Sequence, residues 1–269
     1  MTQNNVAAVK TLFTHIWNNY LEVTPSALKI HDLLGSGNDL INDHVAYRTF
    51  NTSKVNIAKL ASHLTALGYK ECGEYHFDAK KLYAKHFEHT DSTLPKVFIS
   101  ELLVEKFPQP IQDIINKMVD AVDSDSINQS SFLYSGTHWQ VSYAEYQTLL
   151  AESEYAAWMS AWGYRANHFT VSINHLAKFN DIESVNTTVK QGGFPLNTSG
   201  GEIKGDKTVM LEQSSTIADK AEVVFTDQTV LIPSCFYEFA KRYPMSNGKL
   251  YTGFVAASAD KIFESTNAE

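Results

Sequence analysis

The sequence has little cysteine and no long hydrophobic run, and both absences narrow the kind of protein it encodes. Its two cysteines, Cys72 and Cys235, lie far apart and form no Cys-x-x-Cys pair. We therefore expect free thiols, without a disulfide framework or a zinc–thiolate centre. No stretch approaches the roughly 18 apolar residues of a membrane span, and the first residues lack the pattern of a signal peptide. The sequence predicts a cytoplasmic protein with no membrane partner.

Positive charge is also scarce. The chain has 22 Lys and Arg against 30 Asp and Glu, which gives a formal net charge of −8. An acidic surface repels nucleic acid and anionic membranes, so neither is an expected partner. Hydrophobic residues make up 43% of the 269 positions, which is enough to build a substantial core.

Two segments repeat one order of elements, β-α-β-β-β. Each begins with a strand that starts at a histidine, HVAYRTF at 44–50 and HFTVSIN at 168–174. The helix that follows each strand carries apolar residues whose distances from the histidine differ by one between the segments: Ile57, Leu60 and Leu64 in the first, and Ile182, Val185 and Val189 in the second. A Gly-aromatic pair follows each helix. Such an internal repeat indicates two related modules.

The predicted fold class is α+β. Paired βαβββ modules form a curved mixed sheet around a central metal site, with N-terminal helices and a helical insertion. We expect a single domain over 1–269, with N-terminal helices at 1–40 and the first module at 41–105. An all-helical insertion follows at 106–163, and the second module with a C-terminal segment occupies 164–269. The strands expected in the second module, after its first, lie around 194–204, 207–214, 221–225 and 228–238.

Polar side chains lie on one face of each module's first strand. Since side chains alternate along a strand, His44 and Arg48 share a face in the first module. The second module has a polar face made of His168, Thr170, Ser172 and Asn174. Buried polar groups need partners, so these faces are expected to line a wet or liganded cavity.

Each module also ends near a carboxylate, Glu101 in the first and Glu238 in the second. Two neutral imidazoles and one carboxylate with open positions suit Fe(II), and they also suit Zn, Ni or Mn. Glu101 is a candidate ligand, a supporting residue behind the ligands or an ordinary ion-pair partner, and the supporting position is the one we favour. His138, in GTHW between the modules, is a second candidate for such a supporting position.

Six motifs in order give the chain a specific resemblance. They are DHVAYRTF (43–50), FISEL (98–102), HW (138–139), NHFTVSIN (167–174), FYEFAKRYP (236–244) and GFVAASADKIFEST (253–266). Together they resemble the 2-oxoadipate dioxygenase/decarboxylase family, whose fold is similar to the vicinal-oxygen-chelate superfamily. The resemblance implies that His44, His168 and Glu238 bind the metal and that Arg48 grips the substrate. It also places Ser258 near the far end of the substrate.

The reaction that this resemblance implies is Fe(II)-dependent. A 2-oxo acid and O₂ are consumed, and for 2-oxoadipate the products are 2-hydroxyglutarate and CO₂, a reaction of lysine catabolism. Two alternatives stay open at this point. One is a Zn, Ni or Mn hydrolase or isomerase on the same scaffold. The other is a protein that binds a small ligand without catalysis, because a fold alone does not determine chemistry.

Overall fold

A computed structural model describes residues 3–35 and 40–266. Positions 1–2, 36–39 and 267–269, which fall within the predicted N-terminal and C-terminal ranges, lie outside the described residues. The described chain begins with helices α1 (Gln3–Leu21) and α2 (Pro25–Gly35). Proline is the first residue of α2, where its missing N–H is not needed by the helix. None of the described helices combines the length and the apolar character that crossing a bilayer requires.

The first module contains β1 (Asn42–Phe50), α3 (Ile57–Thr65), β2 (Lys70–Phe77), β3 (Leu82–Glu88) and β4 (Lys96–Leu102). Asn56 caps α3 by accepting a hydrogen bond from the Lys59 backbone N–H at 3.0 Å. Gly68 ends the helical turn with a φ of 102°, a conformation that favours glycine.

The segment between the modules contains α4 (Gln109–Asp120), α5 (Tyr143–Glu152) and α6 (Glu154–Trp162). The sequence predicted that this segment is helical throughout. That prediction was wrong, because residues 121–142 form short 3₁₀ turns and irregular chain. Every residue of α6 after Glu154 is buried. This helix therefore lies inside the protein, and only its first residue approaches the surface.

The second module contains β5 (Ala166–Ser172), α7 (Ile182–Gln191), β6 (Lys204–Asp206), β7 (Leu211–Ser215), β8 (Lys220–Val224), β9 (Thr229–Pro233) and β10 (Phe236–Arg242). Helix α8 (Ala256–Ile262) and a 3₁₀ turn end the described chain. Three expectations need correction. Most of 194–204 is irregular, the predicted strand 228–238 is two strands, and Asn174 lies in a 3₁₀ turn beyond β5.

The main sheet has eight strands in the order β2-β3-β4-β1-β5-β10-β7-β6. β1 and β5 are antiparallel neighbours at its centre, β1 pairs in parallel with β4, and β5 pairs in parallel with β10. Each half therefore repeats the other in reverse order, while β8 and β9 form a separate hairpin. This arrangement confirms the predicted α+β fold of paired βαβββ modules. The first strands of both modules meet in the middle.

Candidate metal centre

His44 in β1, His168 in β5 and Glu238 in β10 converge at the centre of the sheet. One nitrogen of each imidazole and one carboxylate oxygen all lie within 4.8 Å of one another, and all three residues are buried. Their three strands are direct neighbours in the sheet. Glu238 pairs with Thr170, which follows His168 by two residues in β5. The structure thus brings together the three residues that the sequence selected.

Each histidine forms a hydrogen bond through Nδ1 to the side chain of the residue that precedes it. His44 Nδ1 lies 2.9 Å from Asp43 Oδ1, and His168 Nδ1 lies 2.9 Å from Asn167 Oδ1. Carboxylate and amide oxygens only accept hydrogen bonds, so each Nδ1 carries the proton and donates it. This contact orients both rings. His168 Nε2 then faces Glu238, and His44 Nε2 lies near both Glu238 and Thr170 Oγ1, which is 3.1 Å away.

Three polar groups surround the carboxylate of Glu238. His44 Nε2 is 3.6 Å from Oε1, His168 Nε2 is 3.1 Å from Oε2, and the Gln213 amide donates to Oε1 at 2.6 Å. Burial lowers the pKa of His168, which is therefore neutral near pH 7.

The contacts of Glu238 Oε2 fit a bound cation. This atom is buried and accepts no hydrogen bond from any described residue. The neutral His168 directs the lone pair of Nε2 at the same oxygen from 3.1 Å. Two acceptors that face each other repel, and a cation between them reverses the sign of that interaction. Two imidazoles and one carboxylate are a donor set for a divalent transition metal with open positions.

A small cavity adjoins the three residues. Its volume is about 20 Å³, which leaves room for about one water molecule. Apolar side chains from both modules and the C-terminal segment form much of its wall: Ala46, Phe98, Phe254, Ala259, Ile262 and Phe263. The edge of the Phe254 ring meets the His44 ring, with 4.8 Å between centroids. The site is therefore shielded from bulk water.

Arg48 lines this cavity, on the side that the strand alternation predicts. Its side chain is 1% exposed and already has an anionic partner, since Nη1 lies 3.1 Å from Glu154 Oε1. Nη2 donates to Thr266 Oγ1 at 3.1 Å, while Nε has no partner among the described residues. The guanidinium lies 4.8 Å and 5.0 Å from the ring centroids of Tyr155 and Trp158. Glu154 therefore balances the charge of Arg48 in this structure.

Glu101 does not support the site, contrary to the sequence-based prediction. Its Oε2 accepts a hydrogen bond at 2.9 Å from the backbone N–H of Ile57, the first residue of α3. Glu101 pairs with Thr49, and Arg48 pairs with Ser100, so Glu101 lies on the opposite face of the sheet from Arg48. Its carboxylate caps a helix there.

The strand register shows why Glu101 was the wrong counterpart of Glu238. Glu238 pairs with the residue two positions after His168. The residue paired with the position two after His44 is Phe98, which lines the cavity. The first module therefore has a phenyl ring where the second has a carboxylate. The site has a single glutamate among the described residues that converge there.

His138 and Ser258 also lie away from the cavity wall. His138 Nε2 lies 2.7 Å from Ser135 Oγ, in the segment between the modules. Ser258 is buried against Gly205 of β6, and its neighbour Ala259 lines the cavity instead. Neither position supports the role predicted for that residue.

A second group of metal-binding residue types lies among the described residues, on β2 and β3. It consists of Cys72, His86 and Glu88, whose candidate ligand atoms are within 4.8 Å of one another. Both nitrogens of His86 have partners, Tyr75 OH at 2.9 Å and Glu88 Oε1 at 3.0 Å. Cys72 is exposed. Because none of these side chains has a buried unpartnered atom, the group does not rival the central site.

Sequence reasoning missed several residues that shape the site. Arg242 holds Asp43 through two contacts, Nε to Oδ2 at 2.7 Å and Nη2 to Oδ1 at 2.9 Å. Asp43 and Asn167 had a signal, because each precedes a ligand histidine in the repeat and supplies an acceptor. Nothing in the sequence pointed to Gln213 or Glu154. Only the tertiary fold brings Gln213 to Glu238 and Glu154 to Arg48.

The fold and the site define a protein of paired βαβββ modules with a buried centre of two histidines and one glutamate. A family model described as 2-oxoadipate dioxygenase/decarboxylase matches residues 1–250. The chloroplastic/amyloplastic 2-oxoadipate dioxygenase/decarboxylase of Oryza sativa subsp. japonica is 36% identical over 287 residues. That match covers 96% of this chain and 78% of the rice protein.

Two solved structures are also similar. The hydroxyglutarate synthase of Oryza sativa, in complex with 2-oxoadipate, has a TM-score of 0.93 at 35% identity, and the match covers 99% of this chain and 94% of that one. A protein from Shewanella frigidimarina NCIMB 400, for which hydrolase activity has been suggested, has a TM-score of 0.90 at 61% identity, with coverage of 93% and 98%. The chain belongs to the 2-oxoadipate dioxygenase/decarboxylase family. It is an oxidoreductase, as the motifs predicted.

Proposed function

We propose that this enzyme is an Fe(II)-dependent dioxygenase that converts 2-oxoadipate and O₂ into 2-hydroxyglutarate and CO₂. The observation that carries the proposal is the buried Glu238 Oε2, which accepts no hydrogen bond while His168 Nε2 faces it at 3.1 Å. Family membership supports the dioxygenase and decarboxylase activities. The rice structure with 2-oxoadipate supports the substrate, and the donor set supports iron.

His44, His168 and Glu238 would hold the metal in this proposal. When bound, Fe(II) supplies a Lewis acid for the 2-oxo acid and the electrons that activate O₂. Asp43 and Asn167 keep the two imidazoles in the required tautomer. Orientation of the ligands is therefore built into the strands before any metal arrives.

Arg48 would bind a substrate carboxylate. It lies in the wall of the same cavity, and its Nε–H is a buried donor without a partner among the described residues. A guanidinium binds a carboxylate through two parallel N–H donors, which fixes the orientation of the ligand as well as its position. The apolar wall around it keeps water from the reacting atoms.

The test combines metal content with oxygen consumption. Protein purified without chelator should contain iron, and it should consume O₂ and release CO₂ only with a 2-oxo acid present. Glu238→Gln should lose both the metal and the activity. The matched control is Glu101→Gln, which changes a helix-capping carboxylate and should retain the metal. Loss of metal in Glu101→Gln but not in Glu238→Gln would overturn this ligand assignment.

One alternative is favoured by a specific observation, the hydrolase activity suggested for the Shewanella protein at 61% identity. A Zn, Ni or Mn enzyme with the same three ligands would activate water and would not need O₂. Turnover of 2-oxoadipate under strict anaerobiosis, or zinc with no iron in active protein, would favour that alternative over the dioxygenase.

A further inference from the structure

Arg48 lines the inner cavity of the site, and its ion-pair partner Glu154 lines a second pocket. We propose that Glu154 holds Arg48 only until substrate arrives, and that a substrate carboxylate then replaces it after entering past Phe263. The inference rests on the proposed function, because it takes a 2-oxo dicarboxylic acid as the ligand.

The inner cavity is too small for that ligand as it stands. Its volume of about 20 Å³ corresponds to about one water molecule, whereas the substrate is a six-carbon dicarboxylic acid. Binding therefore requires side chains of the wall to move. The candidates are residues that border a second pocket, since side chains in the close-packed core have no empty space into which they could move.

Phe263 is such a residue, because it lines both the inner cavity and an outer pocket of about 250 Å³. Lys80, Lys81, Phe107 and Glu154 also line the outer pocket. Glu152 lines it too, so the two lysines and the two glutamates of the lining balance in charge. Lys80 also forms ion pairs of 3.8 Å and 3.9 Å with Asp260 and Glu264 of the C-terminal segment. The route from the outer pocket to the site passes Phe263.

Glu154 is placed to move while Arg48 is not. The side chain of Glu154 is 22% exposed at the start of α6, whereas that of Arg48 is 1% exposed and packed near two aromatic rings. Thr266 Oγ1 donates to Glu154 Oε1 at 2.5 Å and accepts from Arg48 Nη2 at 3.1 Å. When the Glu154 carboxylate turns to solvent, Thr266 still partners Arg48.

Charge balance then selects the ligand. A buried guanidinium without an anion is strongly unfavourable. A ligand with a carboxylate at this end restores the pair that Glu154 gives up. A neutral ligand of the same shape does not, so Glu154 disfavours uncharged compounds at the Arg48 end of the cavity.

The experiment measures binding of 2-oxoadipate to metal-loaded enzyme under nitrogen, using tryptophan fluorescence. Trp158 reports on the site because it lies 5.0 Å from the Arg48 guanidinium. Glu154→Gln removes the competing charge, so its Kd should fall roughly threefold or more relative to wild type. The control is Glu222→Gln, the same change at an exposed residue of β8, which should leave Kd unaltered. An unchanged or weaker Kd in Glu154→Gln overturns the exchange.

The entry route has its own measurement in stopped-flow association. Phe263→Leu should bind faster than wild type and Phe263→Trp more slowly, and equal rates in all three overturn passage at Phe263. The failures are distinguishable. If wild type binds no 2-oxoadipate, the proposed function and this inference both fall. If wild type binds and turns over while Glu154→Gln leaves Kd unchanged, only this inference falls.

Discussion

Replacing Asp43 by asparagine tests how the first module holds its histidine. The variant keeps a side-chain oxygen for His44 Nδ1, as Asn167 does for His168. It removes the negative charge of the carboxylate whose Oδ2 atom lies 2.7 Å from Arg242 Nε. Burial raises the pKa of Asp43, but Arg242 and His44 outweigh it and hold the pKa well below its ordinary value. The carboxylate is therefore charged in the working enzyme.

The expected loss of stability is large because both partners are buried. The side chains of Asp43 and Arg242 are each 3% exposed, so solvent screens the pair very little. Removing one partner of a buried ion pair costs about 3–5 kcal/mol, since the other charge is left uncompensated. At about 2 °C per kcal/mol for a chain of this length, Tm should fall by about 6–10 °C.

The assay is thermal unfolding of the metal-free protein, which separates the ion pair from metal binding. The double variant Asp43→Asn/Arg242→Gln has no stranded charge and should recover much of the loss. Recovery should be incomplete, because Arg242 also donates to the carbonyls of Tyr251 and Gly253 at 3.1 Å and 2.7 Å. A Tm for Asp43→Asn within about 2 °C of wild type would refute the reasoning.

Three further predictions concern other parts of the molecule. Burial lowers the pKa of Lys204 to about 8. Between pH ~8 and ~10.4, Lys204 therefore binds more protons in the unfolded chain than in the folded chain. The contribution of Lys204 to the free energy of unfolding rises with pH in this range. The Tm advantage of Lys204→Met over wild type should accordingly shrink from pH ~7 to ~9.5 in paired melts. Gly163→Ala puts a Cβ 2.2 Å from the Gly136 carbonyl oxygen and should destabilise by more than about 4 kcal/mol, whereas Gly193→Ala, with nothing within 4 Å, should lose about 1 kcal/mol in denaturant titrations. Arg48→Lys should retain iron but lose most turnover, measured on one preparation, because lysine lacks the two-pronged donor; a near-normal kcat/KM would contradict this.

The two histidines and a pair of candidate carboxylates could be predicted because their signals are local. A histidine at the start of each repeated strand, the alternation of side chains and a carboxylate in the last strand are all visible in the sequence. The three residues then meet because β1, β5 and β10 are adjacent in the sheet. The choice of Glu238 over Glu101 came from the resemblance to the family.

The division of 228–238 into two strands could not be predicted in this way. The indole N–H groups of Trp162 and Trp158 donate to the carbonyls of Pro233 and Ser234 at 2.8 Å and 2.5 Å. Those carbonyls are thereby bonded to a helix rather than to a neighbouring strand. The break depends on partners 71 and 76 residues away in the sequence, and the local apolar pattern gives no sign of them.

The single glutamate of the site depends on register, which sequence spacing does not give. Glu101 and Glu238 lie at similar places in the two modules, yet a side chain reaches the cavity only if its register matches the histidine strand. By that criterion, Phe98 of the first module occupies the position that corresponds to Glu238 in the second. The centroid of its ring lies 5.0 Å from that of the Phe254 ring. A second carboxylate there would offer the metal a fourth protein ligand. With a phenyl ring instead, the pseudo-symmetric scaffold supplies three candidate ligands. In the proposed function, a metal held by these three residues would keep positions for the 2-oxo acid and O₂.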